Sequence, residues 1–245
     1  MISIQTLSSE FQLLQHDTSR YSSETEARVN ELWQAALSTS NSRLFNGLVF
    51  SADAAAPDRI SGSFVEYRYL IAQRMDPRLK PVLNINPVSV MGFLTCKDGV
   101  LFGRRPEWVA TRANEWGFLP SSYIKPDVFS HDGCIDYVKS FLIALKNELN
   151  IDADQLSDLD RSALIIEPTA EGTHYALVMR ADVSLSAFGV KSAHLNAVED
   201  EYDDVVAVAF DELPFFIAGK FGRDMSIACS LLADEGYLAL ESDCA

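Results

Sequence analysis

Three groups of residues in this sequence carry side chains that could do chemistry. Arg104 and Arg105 stand together at the end of an apolar run, and a guanidinium fork suits phosphate oxygens. His131 and Cys134 could pair as a base and a nucleophile, but no third group is evident beside them, so catalysis there is not expected. The third group is an acidic run, which is most often a solvated loop: Glu199, Asp200, Glu201, Asp203 and Asp204.

The composition of the 245 residues narrows the classes of function. The formal net charge is −15, so we expect binding neither to nucleic acid nor to an anionic membrane surface. One small phosphorylated ligand could still bind through a local basic pocket or a metal. The four cysteines form no CxxC and the four histidines show no ligand spacing, so neither a disulfide framework nor a structural zinc site is expected. A cytoplasmic location is the default expectation.

The elements that must position these side chains are clearest after residue 80, where we place a domain boundary. A near-continuous apolar strand is predicted over 88–96, followed by a tight turn at 97–99 and a returning strand over 100–105. An apolar stripe predicts a helix over 136–150. Further strands are predicted over 115–119, 162–167, 174–183 and 204–210, and helices over 211–218 and 225–235. This order predicts a mixed β-sheet with helices packed on it, in the α/β or α+β class.

Residues 1–80 have the pattern of a smaller α/β region. A helix is predicted over 22–38 with a serine cap, and a strand over 44–50 that is interrupted by Asn46-Gly47. Pro57 and Asp58 indicate a loop over 52–62. A strand over 63–67 and a helix over 69–74 follow. The pattern leaves open whether this region is a separate domain or completes the sheet of residues 81–245.

The order of motifs after residue 87 resembles a Nudix domain. A strand–turn–strand ends in Arg104-Arg105, the run Trp116-Gly117-Phe118-Leu119-Pro120 follows, and a helix then ends in Asn147-Glu148-Leu149-Asn150-Ile151. The family shows a strand ending in basic residues, a W-x-L-P-G-G run and a box helix ending in R-E-x-x-E-E-x-G. The segment 201–215 is similar to its usual last strand. The resemblance implies a mixed sheet between helices and a site for a nucleoside diphosphate derivative.

A second, shorter resemblance lies in the first region. Leu44-Phe45-Asn46-Gly47, followed later by Glu66-Tyr67-Arg68, is similar to a Nudix subgroup with an N-terminal cap domain. Some members of that subgroup split UDP-glucose and related nucleotide sugars. The resemblance implies that Asn46, Tyr67 and Arg68 contact the ligand, with the tyrosine stacked on a base and the arginine paired with a phosphate. Packing between the two regions is an equal alternative for Tyr67 and Arg68.

The sequence departs from the family at the residues that hold the metal. When the motif is aligned on Ile151, only one of three box carboxylates remains, at Glu148, because Ala144 and Asn147 replace the other two. A dication held by Glu148 alone would bind weakly, since Mg²⁺ sites need further carboxylate or substrate oxygens. The resemblance therefore implies a displaced Mg²⁺ or Mn²⁺ site that is weak or absent, with Glu148, Glu199 and Glu201 as metal ligands and Glu148 and Glu201 as catalytic groups.

Two functions remain open at this point. The first is a Nudix-like binding module that recognises a nucleotide or nucleoside-diphosphate-linked ligand through Arg104 or Arg105 and has lost the diphosphatase activity. The second is an active Nudix-type hydrolase of a nucleotide sugar or related compound that uses the displaced metal site. The expected partner is a small phosphorylated ligand, and the resemblance also leaves room for a protein partner or a homodimer.

Overall fold

The computed structural model of the chain describes residues 2–17, 21–39, 44–109, 111–128, 133–220, 231–232 and 236. These residues form a mixture of β-strands and α-helices, which confirms the predicted α/β class. The chain divides into two compact units. The first unit comprises Met1–Val90, Ser122–Phe141 and Arg161–Val178, and the second comprises Met91–Ser121, Leu142–Asp160 and Met179–Ala245. The predicted boundary near residue 80 stays a prediction.

The described strands and helices have the following bounds. The strands are β1 (Ser3–Thr6), β2 (Gln12–Gln15), β3 (Leu48–Ala56), β4 (Arg59–Glu66), β5 (Val88–Cys96), β6 (Gly99–Arg104), β7 (Trp116–Gly117), β8 (Ser121–Tyr123), β9 (Leu156–Pro168), β10 (Thr173–Val183) and β11 (Asp204–Val208). The helices are α1 (Ser23–Thr39), α2 (Tyr67–Met75), α3 (Lys80–Leu83), α4 (Tyr137–Leu149), α5 (Ala187–His194) and α6 (Leu213–Lys220). The larger sheet has the order β1-β9-β10-β5-β6-β11, with β7 paired to β6 and β8 to β5.

A three-stranded sheet with the order β2-β4-β3 lies in the first unit. Strands β3 and β4 are antiparallel, with Phe50 opposite Phe64, and β2 runs parallel to β4. The predicted loop over 52–62 is wrong, because β3 continues to Ala56 and β4 begins at Arg59. Pro57 and Asp58 therefore mark only the tight turn of a hairpin.

The hairpin of β5 and β6 sets the frame of the second unit. Thr95 pairs with Val100 and Cys96 with Gly99, as the apolar run and its turn predict. Gly99 has a φ of 139°, and a Cβ there would overlap the carbonyl oxygen of Val208, so this turn requires glycine. Strand β11 lies antiparallel on the other side of β6, with Asp204 opposite Arg104. The end of β6 and the start of β11 therefore each carry a charged residue, Arg104 and Asp204.

Four of the predicted helices are present in the structure. Helices α1, α2, α4 and α6 confirm the predictions over 22–38, 69–74, 136–150 and 211–218, with small shifts of their ends. Helix α5 was not predicted, and the side chain of Ser186 caps it by accepting from the Gly189 N–H at 3.2 Å. The helix predicted over 225–235 is described only at Leu231 and Leu232. No helix within the described ranges is long and apolar enough to cross a membrane.

Candidate functional site

The last turn of α4 places Glu148 inside the second unit, where it is 1% exposed. Its Oε2 atom accepts two hydrogen bonds, one from the backbone N–H of Ser121 at 3.0 Å and one from the hydroxyl of Tyr202 at 3.1 Å. Tyr202 is also buried. The carboxylate that the sequence resemblance assigns to a metal is therefore bound to groups of the chain itself.

The surroundings of Glu148 favour its uncharged form. Burial, followed by the nearby carboxylate of Glu201, raises the pKa of Glu148 to about 8, and the hydrogen bonds from Ser121 and Tyr202 oppose this only in part. Glu199 acts in the same direction as Glu201. Burial, followed by the carboxyl group of Glu148, raises the pKa of Tyr202 well above its ordinary value. Burial and the neighbouring carboxylates therefore favour the protonated carboxyl of Glu148 at neutral pH.

The two adjacent arginines have different partners. Nη2 of Arg105 lies 2.7 Å from a carboxylate oxygen of Glu201, and both side chains are half-buried. Nε of Arg105 is buried and, among the described residues, has no hydrogen-bond partner. Arg104 donates from Nε to Asp203 at 2.8 Å, and its guanidinium carbon lies 5.9 Å from the centre of the Trp116 ring. Neighbouring side chains of an extended chain point to opposite faces, so the two guanidinium groups have different surroundings.

The segment between α5 and β11 is fixed to the end of α4 by several bonds. The side chain of Asn147 donates to Glu199 at 3.2 Å, and the backbone N–H groups of Val198 and Glu199 both donate to the Asn147 carbonyl at 2.9 Å. The ring nitrogens of His194 lie 3.1 Å from the carbonyl oxygens of Glu148 and Tyr202. The acidic run is therefore held beside the box residue rather than left as a free loop.

Sequence reasoning missed four members of this site: Ser121, Tyr202, His194 and the bonding role of Asn147. Ser121 acts through its backbone N–H, and a backbone donor leaves no trace in residue type. Tyr202 lies within the acidic run, and such a run predicts a solvated loop rather than a buried hydrogen-bond donor. His194 shows no ligand spacing with the other three histidines, so no role was predicted for it. The only available signal was Asn147, which occupies a box position of the Nudix-like motif.

The carboxylate oxygens around Glu148 are not arranged to bind a divalent cation. Oε2 of Glu148 already accepts from two donors, Glu201 is paired with Arg105, and Glu199 accepts from Asn147. A hard cation such as Mg²⁺ needs ionised oxygens that are free to turn toward it. Within the described part of the chain, no group of three or more His, Cys, Asp and Glu side chains is arranged to hold a metal ion.

The predicted ligand contacts of the first unit have partners within that unit. The side chain of Asn46 accepts from the Arg68 backbone N–H at 3.0 Å and donates to Glu66 at 2.6 Å. The guanidinium of Arg68 lies 3.0 Å from Glu66 and 3.1 Å from Glu26. Asn46 thus caps the first turn of α2 from a distant position in the chain, and Arg68 is compensated by two carboxylates. Their ligand contacts, and that of Tyr67, stay predictions.

The possible pair of nucleophile and base is described only in part. His131 lies outside the described residues. Cys134 is half-buried and forms an isolated β-bridge with Leu14. Cys134 therefore takes part in the backbone pairing of the first unit.

Comparison with known proteins found likeness in structure only. The chain aligns over 61% of its length with 94% of the MutT protein from Methanosarcina mazei Go1, at 16% identity and a TM-score of 0.44. It aligns over 60% with 86% of the NUDIX domain of Shewanella oneidensis NrtR, complexed with ADP ribose, at 13% identity and a TM-score of 0.44. The third similar structure is a bifunctional NMN adenylyltransferase/ADP ribose pyrophosphatase from Francisella tularensis, complexed with AMP and a manganese ion. It aligns over 69% of this chain and 47% of that one, at 16% identity and a TM-score of 0.47.

No protein-family model matches the sequence, and no curated protein matches it. The TM-scores of the similar structures are low, so the functional conclusions depend on the residues of this chain.

Proposed function

We propose that this chain is a Nudix-like protein with a degenerate box, which binds a nucleotide or another nucleoside-diphosphate-linked ligand without the diphosphatase activity of that family. The observation that carries this proposal is the pair of hydrogen bonds to Oε2 of Glu148. They engage the single remaining box carboxylate in the packing of the second unit. Ala144, which replaces another box carboxylate, is buried in the same helix and offers no ligand atom.

The charge around the box supports binding without catalysis. A metal-dependent hydrolase needs ionised carboxylates to hold the cation and to help form the attacking hydroxide. Here burial raises the pKa of Glu148 to about 8, and Arg105 neutralises Glu201. Arg105 in turn keeps a buried Nε without a described partner, and a guanidinium can bind a diphosphate by exchanging one oxyanion for another. Arg105 is therefore the proposed phosphate contact, with the more exposed Arg104 beside it.

One observation favours the alternative, an active hydrolase with a displaced metal site. Glu201 and Glu199 both raise the pKa of Glu148, so the three carboxyl groups lie close enough to repel one another. A dication would relieve that repulsion. This alternative requires Glu201 to leave Arg105 and Glu148 to lose its proton before a metal could bind.

A thermal-shift screen combined with a product assay separates the two functions. The chain is mixed with nucleotides, nucleotide sugars and dinucleotides, each with and without Mg²⁺ or Mn²⁺, because a ligand of the native state raises the melting temperature. The proposal predicts a shift that needs no metal and no released product. Metal-dependent turnover that Glu148→Gln abolishes would establish the hydrolase. No shift from any compound would contradict ligand binding and direct the search to protein partners, including a second copy of the chain.

A further inference from the structure

Arg74 has unusual surroundings for a charged side chain. It lies near the end of α2 in the first unit and is half-buried, and its Nη1 atom is fully buried without a hydrogen-bond partner among the described residues. Its Nη2 atom donates to the hydroxyl of Tyr123 at 3.2 Å. That hydroxyl is a neutral acceptor, so this bond does not balance the charge of the guanidinium.

The other arginines near α2 show the contrast. Arg68 and Arg78 each lie within 3.1 Å of at least one carboxylate oxygen. In the described part of the first unit, no carboxylate lies within ion-pair distance of Arg74. Burial lowers the pKa of Arg74, but Tyr123, Tyr67 and Glu171 outweigh it, so the net pKa lies above its ordinary value. Arg74 is therefore a cation whose hydrogen-bond partner among the described residues is a neutral hydroxyl rather than a carboxylate, in a chain of net charge −15.

The ring of Tyr123, whose hydroxyl bonds to Arg74, lies beside two further aromatic rings. The ring centres of Tyr67 and Tyr123 are 6.1 Å apart, and the ring of His174 stands edge-on to Tyr123 with centres 6.3 Å apart. Tyr67 and Arg74 are two helical turns apart in α2, so they share one face of that helix. All four side chains are half-buried. They form a cluster that we call the Arg74 cluster: Tyr67, Arg74, Tyr123 and His174.

The helix is held in place next to this cluster by Gln73. Its amide donates to the Ile85 carbonyl at 2.8 Å and accepts from the Ile85 N–H at 2.8 Å, and it also donates to the carbonyl of Glu171. Gln73 is fully buried. The side chain of Gln73 thus ties the helix backbone next to Arg74 to two other segments of the first unit, which limits how far this end of α2 can move.

We propose that the Arg74 cluster is a binding site for an oxyanion, a phosphate or carboxylate group carried by a small ligand. The guanidinium supplies the charge and the N–H donors, which suit the planar edge of either group. The hydroxyl of Tyr123 now accepts from Nη2, and by turning it can donate to the same oxyanion. The rings of Tyr67 and His174 lie beside the ring of Tyr123 in the same cluster. This site is independent of the function proposed for the second unit.

The test measures the melting temperature of the full chain while inorganic phosphate or acetate is added, against sodium chloride at equal ionic strength. Phosphate and acetate are titrated separately, so the anion with the lower half-saturating concentration identifies the preferred group. The wild-type chain is expected to show a saturable rise with at least one of them. Arg74→Met should abolish that rise, and Arg74→Lys, which keeps the charge but loses the fork, should weaken it several-fold. Arg59→Gln, at an exposed arginine of the same unit, should respond like the wild type.

The same variants define the results that overturn the proposal. A site for an external anion predicts that Arg74→Met without anion melts at or above the wild-type temperature, because a buried charge without an ion-pair partner among the described residues has been removed. No saturable response of the wild type to either anion contradicts the proposal. So does a response that survives in Arg74→Met or Arg74→Lys unchanged. A response lost in Arg105→Gln and kept in the Arg74 variants would assign the anion to the second unit instead.

Discussion

The hydroxyl of Tyr202 donates to Oε2 of Glu148 over 3.1 Å, and both side chains are buried. The two residues are 54 positions apart in the sequence, so this bond joins the end of α4 to the segment before β11. His194 and Asn147 add bonds between the same two segments. A residue that the Nudix-like motif would assign to a metal thus serves here as an internal acceptor. Four expected outcomes follow from the described contacts.

Glu148→Gln is expected to make the chain more stable near pH 7 and to leave its stability unchanged at low pH. The pKa of Glu148 is raised to about 8 in the folded chain from its ordinary value of 4.5. Between these values the unfolded chain loses the proton while the folded chain keeps it. The contribution of Glu148 is therefore fully present below pH 4.5 and is lost as the pH rises toward 8, by about 1.4 kcal/mol per pH unit at most.

Glutamine keeps the acceptor oxygen but does not titrate, so the difference between the two unfolding free energies isolates this group. Urea unfolding at several pH values measures it. Glu10→Gln, at an exposed position, is the control substitution. Parallel pH profiles for the wild type and Glu148→Gln would mean that Glu148 is ionised in the folded chain at neutral pH.

Gly103→Ala is expected to destabilise the chain and to disturb the Tyr202–Glu148 bond. A Cβ at Gly103 would lie 2.5 Å from Cδ1 of Tyr202 and 2.8 Å from Cδ2 of Leu119. Both neighbours are buried and have little room to move, so overpacking should cost about 1–3 kcal/mol. At Gly117 a Cβ meets nothing within 4 Å, which makes Gly117→Ala the matched control. Chemical denaturation compares the two, and equal effects would refute the close packing at Gly103.

Asn46→Ala is expected to lower the free energy of unfolding by about 1–2 kcal/mol, because the first turn of α2 loses its capping acceptor. Asn46→Asp should not restore it. Aspartate keeps the acceptor for the Arg68 N–H but loses the donor to Glu66 and places a second carboxylate beside it. Asn196→Ala, at an exposed residue with one local bond to Ser192, serves as the control. Full stability of Asn46→Ala would exclude this capping role.

Glu201→Gln and Arg105→Gln are expected to change anion binding in opposite directions. Glu201 competes for Arg105 in the chain without ligand, so its removal should raise the affinity for pyrophosphate. Removal of Arg105 deletes charge-assisted bonds, each worth about 1.5–3 kcal/mol, and should lower the affinity at least about tenfold. Arg104→Gln should matter less, because its ion pair is more exposed. Titration calorimetry with pyrophosphate measures all three, and weaker binding by Glu201→Gln would contradict the competition.

The sequence predicted elements that depend on local patterns. The apolar run of β5, the turn before Gly99 and the stripe of α4 each identify a structure within a single stretch of chain. Strands β1 and β2 were not predicted, because they are short and form by pairing with distant partners. Ser3 pairs with Ile166, and Gln12 with Arg59. Such pairing leaves little periodic signal in four residues.

The candidate site shows the same division. Position in the motif identified Glu148, Glu201 and Arg105 as residues of interest, and they meet in the second unit. Their state depends on contacts that residue types do not encode, namely the backbone donor of Ser121 and the distant hydroxyl of Tyr202. The same holds for Arg68, whose charge is met by Glu66 and Glu26. A charged residue in a motif indicates a site only when its local partners are known.

A Mn²⁺ titration at pH 7, followed by the paramagnetic resonance signal of the free ion, tests whether Glu148 holds a metal ion. The wild-type chain and Glu148→Gln are each titrated with and without a nucleoside diphosphate, and the matched blank contains the nucleotide alone. We expect the wild type to bind no more Mn²⁺ than Glu148→Gln under either condition. One Mn²⁺ bound per wild-type chain at micromolar concentration, and lost in Glu148→Gln, would contradict it and establish a working metal site.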